Sequence, residues 1–489
     1  MEAQEVSSKN EGHNMVPVDG PGWSYVDGVL HCDGMSLEDL RMSLRKDYGH
    51  QGSPAHVYSH SALVANVRKY TDALCPLGER GTLSYSLKAN SNLRVLETLR
   101  QAGVTMATTV SGNEILMAMK AGFAASNIIY NGTGKRRWEV ELAVKHGVLL
   151  NLDSEFDARL IAGVAREVGV RARCLVRLNP ALNADTHPYL ATALADSKFG
   201  VEFHQLEKVL QAVRAGESGN EEHVAVEGVH IHVGSAVSRT RVYADMTRAA
   251  ARTLREIRER GWPRASTINL GGGLNIRLSG VPRKDGEDQE RPATPENLVD
   301  AILPILPQDT TLLLEPGRSL VATAGVLMTE VLGVKTNGDR RFLVVDSAMT
   351  EVIRPALYGA HHPVTHVTVP SSQVSILATL PTISTGLSGM CSSPYSLSPL
   401  PVPRQERAAM DVVGPVCESG DFLARRCMLS PNPPSGAALV VWATGAYCSS
   451  MASNYNLRPH AVEVIVRAPD LYTIVRRPEN FEDLVSCYL

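Results

Sequence analysis

Nowhere in its 489 residues does the chain hold an apolar run of the ~18 residues that a bilayer-spanning helix needs. No membrane partner is therefore expected. Charge of one sign is also lacking: 48 Lys and Arg stand against 51 Asp and Glu, a formal net charge of -3, so no basic excess recruits nucleic acid. The opening MEAQEVSSKNEGHNM lacks the apolar core of a secretory signal, and its Glu residues without Arg argue against a transit peptide. Residues 1 to 15 read as a disordered N-terminus of a cytoplasmic protein. The 8 cysteines form no CxxC pair and no Cys/His spacing suited to zinc. No metal is expected, and most of the cysteines are expected to be buried, reduced thiols.

What is present is the composition of a globular chain, 44% hydrophobic and 20% charged, long enough for two domains. Eight short apolar runs alternate with helical stretches, a rhythm of parallel strands joined by helices. They end at Lys88, Val110, Gly132, Ser154, Asn179, Gly234, Gly272 and Gly317. After the first, Leu93, Leu96 and Leu99 mark one helix face and Gly103 a stop. Eight such units predict an α/β fold, a (β/α)8 TIM-type barrel over residues 61 to 325. Its chemistry would lie where the strands end.

Beyond Gly325 the runs VLMTEVLGV, RFLVVDS, THVTV, MDVVGPV, ALVVWA and AVEVIVR lack long intervening helices. They predict a second, mainly antiparallel β domain over residues 326 to 489. Residues 16 to 60 are expected to join it. A Ser/Pro-rich segment at about 370 to 407 reads as an inserted loop.

Candidate site residues are the polar or glycine-rich ones that close the barrel runs. Lys88 follows YSL, where partial burial would favour the neutral amine able to form a Schiff base with an aldehyde cofactor; a rim lysine paired with Glu315 is the alternative. Gly271, Gly272 and Gly273 would let backbone amides approach a phosphate, with Ser235 adding a hydroxyl. Glu315 opens EPGR after TLLL and needs a partner: a protonated pyridine nitrogen, or Arg318 or Lys88. His232 could stack on a flat ring, whereas His230 reads as a satisfied core residue. His361 and His362 read as loop residues without a role.

The motifs YSLKAN, HIHVGS, NLGGGL, EPGR, GPVCESGDF and GAYCSSMASNYN resemble those of the barrel-type pyridoxal-phosphate decarboxylases. They are most similar to the diaminopimelate decarboxylases, including the plant-type form. The resemblance runs from about Gly22 to Pro459. It implies pyridoxal 5'-phosphate, an alanine racemase-like fold type III, Lys88 as the Schiff-base lysine, His232 against the ring and Glu315 at the pyridine nitrogen. The phosphate is implied among Ser235, Gly271 to Gly273, the backbone of Gly317 and Arg318, and Tyr447. Cys417 is implied as the acid that protonates the reacting carbon, reaching it with Glu418 from the second subunit of a homodimer. A thiol with a pKa of about 8.5 is still protonated near neutrality.

For the substrate, the resemblance implies Arg354 and Tyr358 at the distal carboxylate, Glu418 on the distal ammonium, and Arg318 and Tyr447 also in contact. An arginine suits a second carboxylate because its planar donors match the two oxygens. The implied reaction removes carbon dioxide from meso-2,6-diaminopimelate to leave L-lysine, the last step of lysine biosynthesis. The alternatives are a decarboxylase of ornithine, arginine or lysine, an inactive regulatory relative, and a barrel racemase. Two departures from the family pattern stand at Ala443, where many relatives carry an acid, and at Ile231.

Overall fold

The computed structural model of the protein describes residues 16–180, 197–215, 222–278, 293–369 and 407–488. The expected disordered N-terminus and nearly all of the Ser/Pro-rich segment lie outside the described residues. Two compact units are present, one built from Leu63–Ile276 with the segment ending at Ala322, the other from the chain up to Ala62, a short stretch from Arg277, and Thr323 onward.

Four strands come first: β1 (Trp23–Val26), β2 (Val29–Cys32) and β3 (Met35–Ser36) form a small antiparallel sheet, and β4 (Ala55–Ser59) belongs to a larger one. The eight barrel strands follow. They are β5 (Gly81–Ser86), β6 (Met106–Thr109), β7 (Ile128–Tyr130), β8 (Leu149–Leu152), β9 (Ala172–Leu178), β10 (Val224–Ile231), β11 (Thr267–Asn269) and β12 (Thr311–Leu314). They close in the order β5 to β12, with β12 paired to β5 and every pairing parallel.

Covered on one face by helices and on the other by the barrel interior, most of these strands are largely apolar rather than alternating, with buried Ser and Thr in β5 and β6 as exceptions; β7 and β8 are buried at every position. Ile129, Leu149, Leu175 and Leu313 fill part of the interior, each buried side chain contributing about 1.5–3 kcal/mol. The helix Leu93–Gln101 has Leu96 and Leu99 fully buried on the expected face. Ser111 and Ser154 accept from backbone amides three residues on and start the helices Gly112–Lys120 and Glu155–Val168.

The second unit centres on β13 (Gly325–Asn337), which runs antiparallel to β4, β14 (Arg340–Val345) and β18 (Ala438–Trp442). β15 (Val364–His366) pairs with β18, and β16 (Ala408–Val413) lies parallel to β14 and antiparallel to β17 (Phe422–Leu429). β19 (Val462–Ala468) runs parallel to β4 and antiparallel to β20 (Leu471–Arg476). Both faces of β13 are buried: Val326 and Met328 enter one core, Leu327 and Val331 another. Strand alternation divides them. The segment HVYSH thus supplies β4 to this sheet.

The cysteine expectation needs correction. Of the seven described, Cys32, Cys174 and Cys448 are buried, Cys427 is intermediate, and Cys75, Cys417 and Cys487 are exposed. Spacing along the chain does not show which element face each cysteine occupies. Among the described residues no helix is long and apolar enough to cross a membrane.

Candidate active site

The C-terminal ends of the barrel strands carry the polar groups. Lys88 lies just beyond β5 in the tight turn Leu87–Ala89, exposed between two buried neighbours. This exposure of Lys88 differs from the partial burial expected. Its charge still acts on His230, His232 and Glu315.

Glu315 follows β12 and is 5% exposed. Its carboxylate accepts from Asn269 Nδ2 at 2.8 Å and from Asn131 Nδ2 at 3.2 and 3.4 Å. Burial pushes the carboxyl up from its usual range, while Asn269, the Thr108 hydroxyl, Arg177 and Lys88 pull it back toward the ionised form. Groups at five strand ends, those of β5, β6, β7, β9 and β11, thus act on one carboxylate. His230 Nε2 stands 3.5 Å from Glu315 Oε2, and neither ring nitrogen has a hydrogen-bond partner, so it is not the satisfied core histidine expected. The half-buried His232 next along β10 is held neutral, by burial first and then by the charges of Lys88 and Arg177.

The glycine run is a close approach of three strand ends. A Cβ on Gly272 would lie 2.3 Å from Glu315 O, and one on Gly273 would lie 2.1 Å from Gly234 O. Gly271 and Gly273 also adopt positive φ, +63° and +99°, which side chains resist. Asn269 Oδ1 accepts from Gly271 N at 2.8 Å, and Gly271 O accepts from Glu315 N at 2.7 Å. Ser235 follows Gly234 on the same rim. Pro316 O accepts from Ser86 N at 3.1 Å, which fixes Gly317 and the buried Arg318 beside the turn that carries Lys88.

The β unit holds the other candidates. Arg354 begins the short helix Arg354–Tyr358 and is 8% exposed; its Nη1 lies 3.2 Å from His362 Nε2. Tyr358 closes that helix, half-buried, before Gly359 at φ +60°. Cys417 and Glu418 are exposed in a turn pinned by Asp421, which accepts from Val416 N at 2.9 Å and from Met349 N at 2.7 Å. The turn is thereby tied to the segment leading into Arg354. Cys417 N also donates to Asn456 Oδ1 at 2.9 Å. Tyr447 is half-buried with φ +57°, and Ala443, four residues earlier, has φ +58°, a conformation uncommon for non-glycine residues.

A family model described as the pyridoxal-binding domain of pyridoxal-dependent decarboxylases matches residues 61–322. A probable chloroplastic diaminopimelate decarboxylase of Oryza sativa subsp. japonica is 36% identical over 94% of this chain and 84% of its own. The chain belongs to the diaminopimelate decarboxylase family. A family member from Pseudomonas aeruginosa is 33% identical over 95% of this chain and 98% of its own. A crystal structure of the family from M. jannaschii, in complex with L-lysine, superposes with a TM-score of 0.78 at 27% identity, covering 96% of this chain and 97% of that one.

The family cofactor is pyridoxal phosphate, and the barrel rim fits it. A phosphate requires backbone amides that no side chain crowds, and at Gly272 and Gly273, where the carbonyls of Glu315 and Gly234 already close in, glycine leaves the backbone bare. A pyridinium requires a buried acceptor, and Glu315 is one: burial raises its carboxyl, and a cation beside it would offset that cost.

Sequence reasoning missed Asn131, Asn269, Thr108, Arg177, Asp421 and His362. The two asparagines carried a usable signal, since each is a polar residue closing an apolar run, the rule that selected Lys88 and Glu315. His362 carried none, because its contacts reach Arg354 and Trp442.

Proposed function

We propose that this chain decarboxylates meso-2,6-diaminopimelate to L-lysine and carbon dioxide with pyridoxal 5'-phosphate, the closing reaction of lysine biosynthesis. The substrate assignment is carried by the 36% identity over 94% of the chain to a protein named as a diaminopimelate decarboxylase, since the barrel rim alone would serve any amino-acid decarboxylase of this fold.

Lys88 would hold the cofactor's aldehyde carbon, His232 its ring face and Glu315 its pyridine nitrogen. Ser235, Gly271, Gly272, Gly273, Gly317, Arg318 and Tyr447 would hold its phosphate. When bound, the cofactor supplies a sink for the electron pair left as carbon dioxide departs. His232, kept neutral, adds no cation at the ring face, while the two asparagines keep the Glu315 carboxylate aimed inward.

At the substrate's far end, Arg354 donates to the distal carboxylate with Tyr358, and Glu418 accepts from the distal ammonium; Arg318 and Tyr447 also bind substrate. The Cys417 thiol delivers its proton to the reacting carbon; its exposure suits a group that serves a neighbouring subunit. A homodimer in which Cys417 and Glu418 act across the interface is part of this proposal, to be tested by sedimentation. So is a cytoplasmic location, to be tested by cell fractionation. A substrate panel tests the reaction: purified protein should release carbon dioxide from meso-diaminopimelate far faster than from ornithine, lysine or arginine. Equal turnover of ornithine would overturn the assignment.

A further inference from the structure

Between the helix Arg354–Tyr358 and β15 stand two adjacent histidines, of which His362 is 2% exposed. Its Nδ1 lies 2.8 Å from Trp442 O and its Nε2 3.2 Å from Arg354 Nη1. A carbonyl oxygen only accepts, so Nδ1 carries the proton. In a neutral imidazole Nε2 then holds the lone pair. A guanidinium only donates, so Arg354 Nη1–H donates to that lone pair. A doubly protonated ring would set N–H against N–H beside a permanent cation. The two contacts together select one tautomer and one charge state.

The carbonyl that anchors the ring is itself rigidly placed. Trp442 ends β18, where Val441 pairs with Val364 of β15 and Trp442 N donates to Pro363 O at 2.8 Å. The Trp442 indole donates to Thr365 Oγ1 at 2.9 Å, is fully buried, and meets Trp23 edge-on at 5.4 Å between ring centroids. A strand end fixes the imidazole, and the imidazole fixes one donor of the guanidinium. Arginine otherwise loses rotamer entropy when it is held in one geometry, and a preset Arg354 loses less of it on binding a carboxylate.

We propose that His362 is a positioning residue for substrate selection: by accepting from Nη1 it orients Arg354 toward the distal carboxylate. This rests on the reading of Arg354 given above.

Two replacements of similar length separate orientation from packing. In His362→Gln the side-chain oxygen can accept from Arg354 and the amide can donate to Trp442 O; in His362→Met neither contact survives. Holoenzyme kinetics with meso-diaminopimelate should show KM raised about tenfold in His362→Met, the scale of one hydrogen bond to a charged group, with kcat within about twofold. In His362→Gln, KM should stay within about threefold of wild type. The dissociation constant of L-lysine, which keeps the distal ammonium and carboxylate, should follow the KM values in calorimetry without turnover. Combining His362→Met with Arg354→Ala should raise KM no further than Arg354→Ala alone. Equal KM in the Gln and Met variants, or independent multiplication of the two effects, overturns the positioning role. An unchanged KM in Arg354→Ala itself removes the substrate reading and the positioning role together. The outcomes are thus distinguishable. Melting temperatures and the cofactor absorbance of each variant show that the comparison is between folded, loaded proteins.

Discussion

Glu351, three residues before Arg354, gives the fold a built-in dependence on pH. Burial pushes its carboxyl from an ordinary 4.5 to about 7, against the opposing pull of its bond from Ala348 N, the Arg458 charge and the Thr350 hydroxyl. Below about pH 4.5 the group is protonated in both folded and unfolded chains. As pH rises from there toward 7, the unfolded chain releases a proton that the native one keeps, so stability falls; above 7 the native group ionises too and the loss levels off. The gap of about 2.5 pH units is worth roughly 3 kcal/mol. Glu351→Gln should abolish it without disturbing the contacts, because Ala348 N at 2.7 Å can donate to the amide oxygen and Thr350 Oγ1 at 2.9 Å can accept from the amide nitrogen. Urea unfolding of both proteins, at one concentration and with saturating cofactor, should show the variant gaining on wild type by roughly 3 kcal/mol between about pH 4.5 and 7.5. Parallel stability curves would refute the argument.

Asn269→Ala should leave Glu315 short of a donor, costing about 1–3 kcal/mol and weakening cofactor retention in equilibrium dialysis; unchanged retention would show that Asn131 suffices. Gly273→Ala should cost about 1–3 kcal/mol from its positive φ alone, and more from the 2.1 Å approach to Gly234 O; a melting temperature equal to wild type would contradict the close approach. Cys417→Ala should lower kcat by roughly 10²–10⁴-fold while the cofactor absorbance stays as in wild type, and a kcat within twofold would assign the proton to another group.

Most of the barrel was legible because a strand covered on both sides has to be continuously apolar. LLNL and TLLL announce themselves, and the residue where each run stops falls at the functional rim. β17 was harder: its sequence FLARRCML puts two arginines mid-strand, and Arg426 takes φ +51° where the register with β16 shifts, so the two-residue period breaks. β20, half-buried at the sheet edge, lacks the apolar contrast that marked β19. In the site, Glu315 could be found as a carboxylate in need of a partner, but its partners could not. Asn131 is 184 residues away from it in the chain, and only barrel closure brings β7 and β12 to face each other. The contacts of His362 were out of reach for the same reason: a loop histidine is judged by its neighbours in sequence, and Trp442 lies 80 residues away.

β4 sits between β13 and β19, and this arrangement imposes an order on synthesis. About 400 residues separate β4 from β19, so at ~5–20 residues per second a ribosome needs on the order of 20–80 s to deliver the second partner. By then the last barrel strand, ending at Leu314, has long been made. For that interval β4, whose every residue is buried in the finished sheet, is a nascent strand with an open edge. Truncations that remove β19 should therefore appear in cells as insoluble or chaperone-bound protein rather than as a folded enzyme of reduced activity.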